Sequence, residues 1–119
     1  MKIEGTKFGE ITIDGKTYDH DVLISLSGLV TKRKKKLSKK VYGTSHTVSR
    51  DEAEYVYETG CEQLILGTGQ GDNVRLSREA AEYFAQKDCS VVAKPTPQAI
   101  EAFNRSKIRK RIGLFHVTC

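Results

Sequence analysis

A glycine-rich stretch at residues 64–73, "LILGTGQGDN", is the first part of the sequence whose residue types indicate chemistry. Three glycines, Gly67, Gly69 and Gly71, follow an apolar run, and backbone N–H groups in such a loop can bind a small anion. The dinucleotide-binding pattern requires a further glycine where this chain has Asp72, and a Walker loop requires Gly-Lys followed by Ser or Thr. Neither nucleotide motif is present. The stretch therefore favours a bend that lets the chain leave a strand, with anion binding as the alternative.

A second candidate for anion binding is the start of the predicted helix at residues 96–110, "TPQAIEAFNRSKIRK". Thr96 is the expected N-cap, and Pro97 fits the first helical position because proline needs no backbone donor there. The amides after Thr96, at the positive end of the helix dipole, would point toward an anion. The alternative is that Thr96 and Pro97 only start the helix.

The histidines do not form a metal-binding pattern. His116 and Cys119 are three residues apart on a predicted strand, so their side chains should point to opposite faces. His20 and His46 have no ligand partner nearby in the sequence. We therefore expect no metal, no cofactor and no catalytic residue.

Three cysteines at wide spacing, Cys61, Cys89 and Cys119, do not form a disulfide framework. Cys61 and Cys89 flank predicted helix ends and are interpreted as small packing residues. A nucleophilic role for Cys119 is disfavoured because the adjacent terminal carboxylate opposes thiolate formation. Reduced thiols, the lack of an apolar leader and the lack of a long apolar run predict a cytoplasmic protein without a membrane span.

The net charge of +5 comes from a single basic segment, residues 31–40, "TKRKKKLSKK". It holds seven Lys and Arg residues and no acid, and the rest of the chain carries a net charge of −2. The basic run Lys32–Lys40 leaves nucleic-acid binding open. However, no aromatic residue is interleaved for base stacking, and Tyr42 is the nearest one. We expect a solvated surface rather than a nucleic-acid site.

The first half of the chain is predicted to be extended. Residues 8–24, "FGEITIDGKTYDHDVLI", are typical of a β-hairpin, with Asp14-Gly15 in a type I′ turn. Residues 30–48 form a third extended stretch with lysines on both faces. Such a stretch cannot be buried on both sides, so we expect an edge strand or a projecting arm.

From Ser49 onward helices alternate with short apolar strands, in the order α-β-α-β-α-β. Ser49 and Glu52 form a capping box, Gly60 suits the end of that helix, and Ser77 is the N-cap of the next. Alternation implies right-handed crossovers and a short parallel sheet. We therefore predict one α/β domain, residues 1–119, with three layers in the order β/β/α and the C-terminal strand inside the sheet.

The carboxyl ends of parallel strands meet at one edge of a sheet, which is where ligands bind in open α/β folds. The predicted rim, which is the tentative ligand or anion site, consists of Gly67, Thr68, Gly69, Thr96, Pro97 and Thr118.

Four segments together resemble the Mth-nine-thirty-eight-like domain family. They are "FGEITIDGKTYDHDVLI", "LILGTG", "PTPQAIEAFN" and "LFHVTC", and the similarity covers nearly the whole chain. The resemblance implies a β/β/α fold, no established enzyme activity, and eukaryotic relatives that include a mitochondrial assembly factor for respiratory complex I and an adipogenesis-associated protein. The family pattern carries over, without a catalytic role, to Gly67, Thr68, Gly69, Thr96, Ala99 and Asn104. The tryptophan that bacterial members often have in the middle strand is missing here.

These observations favour a non-catalytic binding or assembly module that acts on protein partners. The alternative is a small-molecule or anion-binding protein, enzyme or not, that uses the rim. A nucleic-acid adaptor ranks third. The sequence leaves the partner, the ligand and the oligomeric state open.

Overall fold

The computed structural model describes all 119 residues, which form ten strands and four helices. In chain order these are β1 Ile3–Lys7, β2 Glu10–Ile13, β3 Lys16–Tyr18, β4 Val22–Ile24, β5 Val30–Lys32, α1 Lys36–Tyr42, β6 Thr47–Val48, α2 Arg50–Val56, β7 Gln63–Thr68, β8 Arg75–Leu76, α3 Arg78–Gln86, β9 Ser90–Lys94, α4 Thr96–Arg105 and β10 Arg111–His116. None of the helices is long and apolar enough to cross a membrane.

The central sheet has five strands in the order β5-β4-β10-β7-β9. Strands β10, β7 and β9 are parallel, whereas β4 and β5 add to them in antiparallel pairing. A separate N-terminal sheet contains β1, β2 and β3, and β6 pairs with β8 over two residues. The C-terminal strand β10 therefore lies inside the sheet, as the sequence predicts.

The predicted three layers are confirmed, with the central sheet in the middle. On one face Leu64 and Leu114 lie in a buried cluster with residues of α2 and α3. On the other face Ile65 and Phe115 lie in a second buried cluster, with residues of the N-terminal sheet and α4. Both faces of β7 and β10 are covered, which explains why these strands are continuous apolar runs.

Helix α4 lies on the same face as the N-terminal sheet, for a topological reason. The connection from β7 through α3 leads to β9, at the edge of the sheet. The connection from β9 through α4 runs in the opposite direction, past β7, to β10. Because both crossovers are right-handed, α3 and α4 must cover opposite faces. Asn104 of α4 joins this layer to β1, since its side-chain amide bonds both the N–H and the C=O of Ile3 at 3.0 and 2.8 Å.

The predicted hairpin is correct at its turn and incomplete at its ends. Asp14 and Gly15 have φ angles of +48° and +82°, which is the geometry of a type I′ turn. The sequence missed β1, and the return strand is two strands rather than one. It breaks at residues 19–21 because the buried Asp21 leaves the N-terminal sheet there and β4 joins the central sheet.

The prediction of an extended stretch over residues 30–48 holds for β5, which is an edge strand, and for β6, but it is wrong for the segment between them. Strand β5 stops at Lys32, and helix α1 follows from Lys36 until Gly43, whose φ of +71° ends it. Leu37 and Val41 are spaced by four residues, which also fits a helix, and lysine is a good helix former. Only Lys36, Lys39 and Lys40 project from this short helix, and the other lysines of the segment lie on β5 or before the helix.

Two helix ends also differ from the predictions. Helix α2 ends at Val56 rather than near Gly60, which lies in a turn with a φ of +92°. Helix α4 ends at Arg105, so Lys107, Arg109 and Lys110 lie in the following loop instead of at the helix terminus.

Both predicted serine caps are present. Ser49 Oγ accepts from the Glu52 N–H at 3.1 Å, and Ser77 Oγ accepts from the Ala80 N–H at 3.0 Å. The capping box is only half formed because the Glu52 carboxylate binds Arg33 instead. Ser38 takes its place by accepting from the Ser49 N–H at 2.9 Å.

Candidate functional site

The ends of the parallel strands meet at one edge, as the sequence predicts, and a buried hydroxyl connects them. The N–H of Gly69 donates to Thr96 Oγ1 at 2.9 Å, and Thr96 Oγ1 donates to the carbonyl of His116 at 2.6 Å. A single side chain thus ties the end of β7 and the start of α4 to the end of β10. Thr96 is fully buried and holds the rim together from inside.

Thr96 is not the N-cap of α4, as the sequence analysis expected. It is the first helical residue, Pro95 precedes it as N-cap, and no side chain caps the helix. The N–H of Thr96 donates to the carbonyl of Gly69 at 3.1 Å, and Pro97 has no N–H to offer. Two of the amides that an anion would use are therefore occupied or missing.

The glycines of the rim are required by close packing. A Cβ atom on Gly67 would lie 2.7 Å from Phe115 Cδ1 and 3.0 Å from Thr96 Oγ1. Gly69 has a φ of +102°, and a Cβ there would lie 2.6 Å from the carbonyl carbon of Cys119. Because the Gly69 N–H is already bonded, this geometry supports a bend more than a phosphate loop.

The six predicted rim residues do not line one cavity. Thr68 lines an apolar cleft of about 620 Å³, and Pro97 lines a separate cleft of about 550 Å³ beside the N-terminal sheet. Thr118 lines a third cleft of about 240 Å³. The remaining three, Gly67, Gly69 and Thr96, are buried and line none of these clefts.

A buried ionic network lies beside the rim and includes a residue of the basic segment. The side chain of Arg33 is 1% exposed, and its Nε and Nη2 donate to the two carboxylate oxygens of Glu52 at 2.7 and 3.0 Å. Its Nη1 donates to Asp21 Oδ2 at 3.0 Å. The expectation that this segment is only a solvated surface is therefore wrong for Arg33, because two buried carboxylates require its charge.

The Asp21 carboxylate accepts hydrogen bonds from three residues, Arg33, His116 and Val117. Burial by itself would raise its pKa, but hydrogen bonds from the His116 side chain and the Val117 N–H and the charges of His116 and Arg33 lower the pKa to about 2. Its Oδ2 lies 2.7 Å from His116 Nδ1, and its Oδ1 accepts from the Val117 N–H at 2.9 Å. The carboxylate thus fixes the last strand and the imidazole ring.

His116 forms a hydrogen-bonded chain with Asp21 and Thr118. Since the ionised Asp21 can only accept, His116 Nδ1 carries a proton and Nε2 of the neutral ring can accept. Thr118 Oγ1 lies 3.1 Å from Nε2, so its hydroxyl can donate to the ring. Sequence reasoning missed this pair because Asp21 and His116 are 95 residues apart. The available signal was that His116 and Thr118, at alternate strand positions, share one face.

The cleft beside Thr118, hereafter the cationic cleft, has Lys32, Lys35 and His20 among its lining residues. The Lys35 ammonium lies 3.6 Å from Asp21 Oδ2 and is partly exposed. Arg33 and the carboxylates of Asp19 and Asp21 line it as well, so the cleft has three positive and two negative side chains beside Thr118.

The cleft beside Thr68, hereafter the apolar cleft, lies between α3 and the edge strand β9. Seven of its ten lining residues are hydrophobic. They are Val74, Leu76, Ala81, Ala85, Cys89, Val91 and Ala93. Strand β9 is the last strand of the central sheet, so one side of its backbone has no strand partner.

Cys61 and Cys89 are buried, in agreement with a packing role, and their Sγ atoms are 3.6 Å apart. The hydrogen bond between the two thiols lowers the pKa of Cys61 and raises that of Cys89. No group of three or more His, Cys, Asp or Glu side chains lies close enough together to hold a metal ion.

Comparison with known proteins gives a family and a fold. Residues 3–113 match the family model described as "Protein of unknown function (DUF498/DUF598)". The conserved hypothetical protein PH1505 from Pyrococcus horikoshii OT3 is 36% identical over 100% of both chains, with a TM-score of 0.91.

Two further solved structures have the same fold. MT938 is 32% identical, with 99% of this chain and 98% of that chain covered and a TM-score of 0.82. Xanthomonas campestris XCC1710 is 11% identical, with 98% of this chain and 86% of that chain covered and a TM-score of 0.71. The last likeness concerns the fold alone.

Proposed function

This chain belongs to the DUF498/DUF598 family of proteins of unknown function, and we propose that it binds an extended segment of a partner protein along strand β9. The observation that carries the proposal is that β9, an edge strand of five residues beside the apolar cleft, has a strand partner on one side only. Strand addition at a sheet edge is a common mode of peptide recognition, in which backbone bonds supply affinity and side-chain pockets supply specificity.

The free backbone groups of β9 can be identified from its pairing with β7. Ser90 donates its N–H toward β7, to the carbonyl of Glu62 at 3.0 Å. Successive residues of a strand direct their N–H and C=O groups to opposite sides, so Val91 and Ala93 direct theirs to the open edge. These two residues offer four backbone groups to an added strand.

The two faces of β9 determine the side chains that the partner segment should have. On the α3 face, Val91 and Ala93 line the apolar cleft, which suits apolar side chains at alternate positions of the added strand. On the α4 face, Lys94 lines a groove in which Arg105 is already paired with Glu101 at 2.8 Å. The unpaired Lys94 favours an acidic residue on that side, so the occupant is a segment that alternates apolar and polar or acidic residues.

The opposite edge of the central sheet is a poorer docking site. Strand β5 has only three residues, and Thr31 and Lys32 are exposed on it. Short edge strands that carry lysine discourage pairing with another chain. The proposal therefore concerns β9 alone.

The experiment is selection of peptides from a displayed library, followed by affinity measurements on two matched variants. Ala85→Glu adds a negative charge inside the apolar cleft, whereas Gln86→Glu adds the same charge on α3 without lining the cleft. We expect Ala85→Glu to weaken peptide binding at least about tenfold, because a carboxylate would be desolvated there. Gln86→Glu should bind as the parent does. Equal binding by both variants would contradict docking at β9.

A second candidate function is binding of a small anion in the cationic cleft, which is the part of the predicted rim that Thr118 forms. It is supported by Lys32 and Lys35, which line the same cleft as Thr118. Titration with inorganic phosphate should shift the NMR signals of these residues. Shifts only at the exposed lysines of α1, with none at Thr118, would indicate nonspecific charge attraction.

Two further expectations belong to the main proposal. A protein partner agrees with the assembly role of a eukaryotic relative in the resembled family, although fold alone does not determine function. Cytoplasmic location agrees with three free cysteines, since thiols stay reduced in that compartment. Localisation of a tagged chain in cells tests the second expectation.

A further inference from the structure

Beside the cationic cleft, the side chains of Thr118, His116 and Asp21 form an arrangement that can do chemistry. We propose that Thr118 acts as a nucleophile toward small esters, with His116 as its general base and Asp21 as a positioning residue. The inference deepens the second candidate function, because the substrate would occupy the cationic cleft. It adds a reaction to a region for which the sequence predicted none.

The geometry is that of an activated hydroxyl. Thr118 Oγ1 lies 3.1 Å from His116 Nε2, and His116 Nδ1 lies 2.7 Å from Asp21 Oδ2. A nucleophile bonded to a base, which a third group orients, is the recurring arrangement of nucleophilic catalysis. His116 and Asp21 are 2% and 1% exposed, whereas Thr118 is half-buried and lines the cleft. The base is thus shielded from water, whereas the residue that would attack lies at the wall of the cleft.

The charges around His116 leave its Nε2 free to accept a proton. Its ring faces Asp21 from the β3–β4 loop and the ring of His46, whose centroid is 5.4 Å away in an edge-to-face contact. Asp21 and Glu52 carry two negative charges, and Arg33 and Lys35 carry two positive charges in the same network. Because Nδ1 faces the Asp21 carboxylate, Nε2 is the ring nitrogen that can accept the proton of Thr118, as a general base requires.

The cleft limits the class of substrate. Its volume of about 240 Å³ lies below the range of about 300–1,000 Å³ typical of sites for drug-sized ligands. Short acyl groups fit this space. Lys32 and Lys35 at the lip favour an ester with a negative charge on its leaving group or one that develops negative charge there.

The reaction conserves atoms and charge. Thr118 Oγ1 attacks the ester carbonyl carbon, an Oγ1–C bond forms, and the hydroxyl proton moves to His116 Nε2. The bond from that carbon to the leaving oxygen then breaks, and Nε2 gives the proton to this oxygen, which departs as an alcohol. Water attacks the acyl-threonine in the same way, with His116 again as base, and releases the acid and the free Thr118.

The experiment uses p-nitrophenyl acetate with the full chain, and follows p-nitrophenolate release together with peptide mapping of acetylated residues. We expect an acetyl group on Thr118 in the parent protein. Thr118→Val keeps the shape but removes the hydroxyl, so acetylation there should disappear and release should fall about 10²-fold or more. Thr118→Ser should restore both, and Thr31→Val, on the exposed strand β5, should behave as the parent does.

Asp21 is tested by the pH profile, which a purely structural residue would not move. In Asp21→Asn the imidazolium loses its carboxylate partner, so the rise of the acylation rate with pH should shift to lower pH. If this buried variant does not fold, the Thr118 variants still decide the proposal.

Acetyl groups found only on lysines, or release by Thr118→Val at the parent rate, would overturn the proposal. Failure of acylation can be distinguished from failure of anion binding, because Thr118→Val leaves Lys32 and Lys35 in place. Phosphate titration of that variant therefore tests the cleft without the reaction.

Discussion

Thr96 shows how one buried hydroxyl can carry a structural role that its sequence context disguises. Its position before Pro97 indicates a helix cap, yet its oxygen joins the N–H of Gly69 to the carbonyl of His116. Carboxyl ends of parallel strands meet by rule, so the sequence could predict that these residues are neighbours. It could not predict which groups bond, because that depends on side-chain directions in the folded chain.

Thr96→Val should destabilise the protein by about 1–3 kcal/mol, because it leaves the buried Gly69 N–H without an acceptor. Thr96→Ser keeps the hydroxyl and should lose less. The measurement is urea-induced unfolding of both variants. Equal stability of Thr96→Val and the parent would show that this bond contributes nothing.

Asp21 should make stability depend on pH at the acid end. Its pKa is about 2 in the folded chain against 3.8 when unperturbed. The folded value is lower, so the stabilisation is present above pH 3.8 and is lost as the pH falls toward 2. The difference corresponds to about 2 kcal/mol.

The check is to compare unfolding of the parent and of Asp21→Asn across that acid range. The gap in stability between the two proteins should narrow as the pH falls. A difference in unfolding free energy that stays constant with pH would mean that the partners of Asp21 do not lower its pKa in the folded state.

At the scale of elements, a local sequence pattern predicted the structure correctly where only one backbone geometry fits it. It failed where a strand and a helix fit the same pattern. The Asp14-Gly15 turn and the Ser49 and Ser77 caps were predicted because each residue type satisfies one backbone geometry. Helix α1 was missed because Leu37 and Val41 among lysines fit an exposed strand and an exposed helix alike. The His116 site was missed because its carboxylate comes from a distant loop.

In the basic segment, replacing Arg33 should reduce the stability of the fold strongly, whereas replacing an exposed lysine should reduce it little. Arg33→Gln removes a guanidinium that neutralises two buried carboxylates, and should cost about 3–5 kcal/mol. Lys36→Gln changes an exposed residue of α1 and should stay within about 0.5 kcal/mol. Thermal unfolding of the two variants under one set of conditions makes the comparison. Similar losses would mean that the ionic network does not support the fold as described.

At the scale of the whole molecule, one strand connects both cores. Strand β10 pairs with β4 on one side and β7 on the other, and its side chains alternate between the two buried clusters. Deletion of residues 112–119 should therefore abolish cooperative unfolding. A truncated chain that still melts in one sharp transition would contradict this role of β10.

At the scale of the whole molecule, the two edges of the central sheet differ in what they can bind. Strand β5 is short and adjoins the lysines of α1, whereas β9 leaves backbone groups open beside the apolar cleft. The sequence favoured a protein-binding module because it showed no catalytic pattern and because a relative in the resembled family has an assembly role. The location of the docking edge required the strand order, which no local pattern determines.

Hydrogen exchange at two amides tests partner binding at β9 most directly. The N–H groups of Val91 and Ala93 face the open edge, so they should exchange quickly in the free protein. With a selected peptide bound, we predict that at least one of them becomes protected by an interstrand hydrogen bond, while Ser90, already bonded toward β7, changes little. A tightly bound peptide that leaves both amides exchanging at the free rate would contradict strand addition at β9.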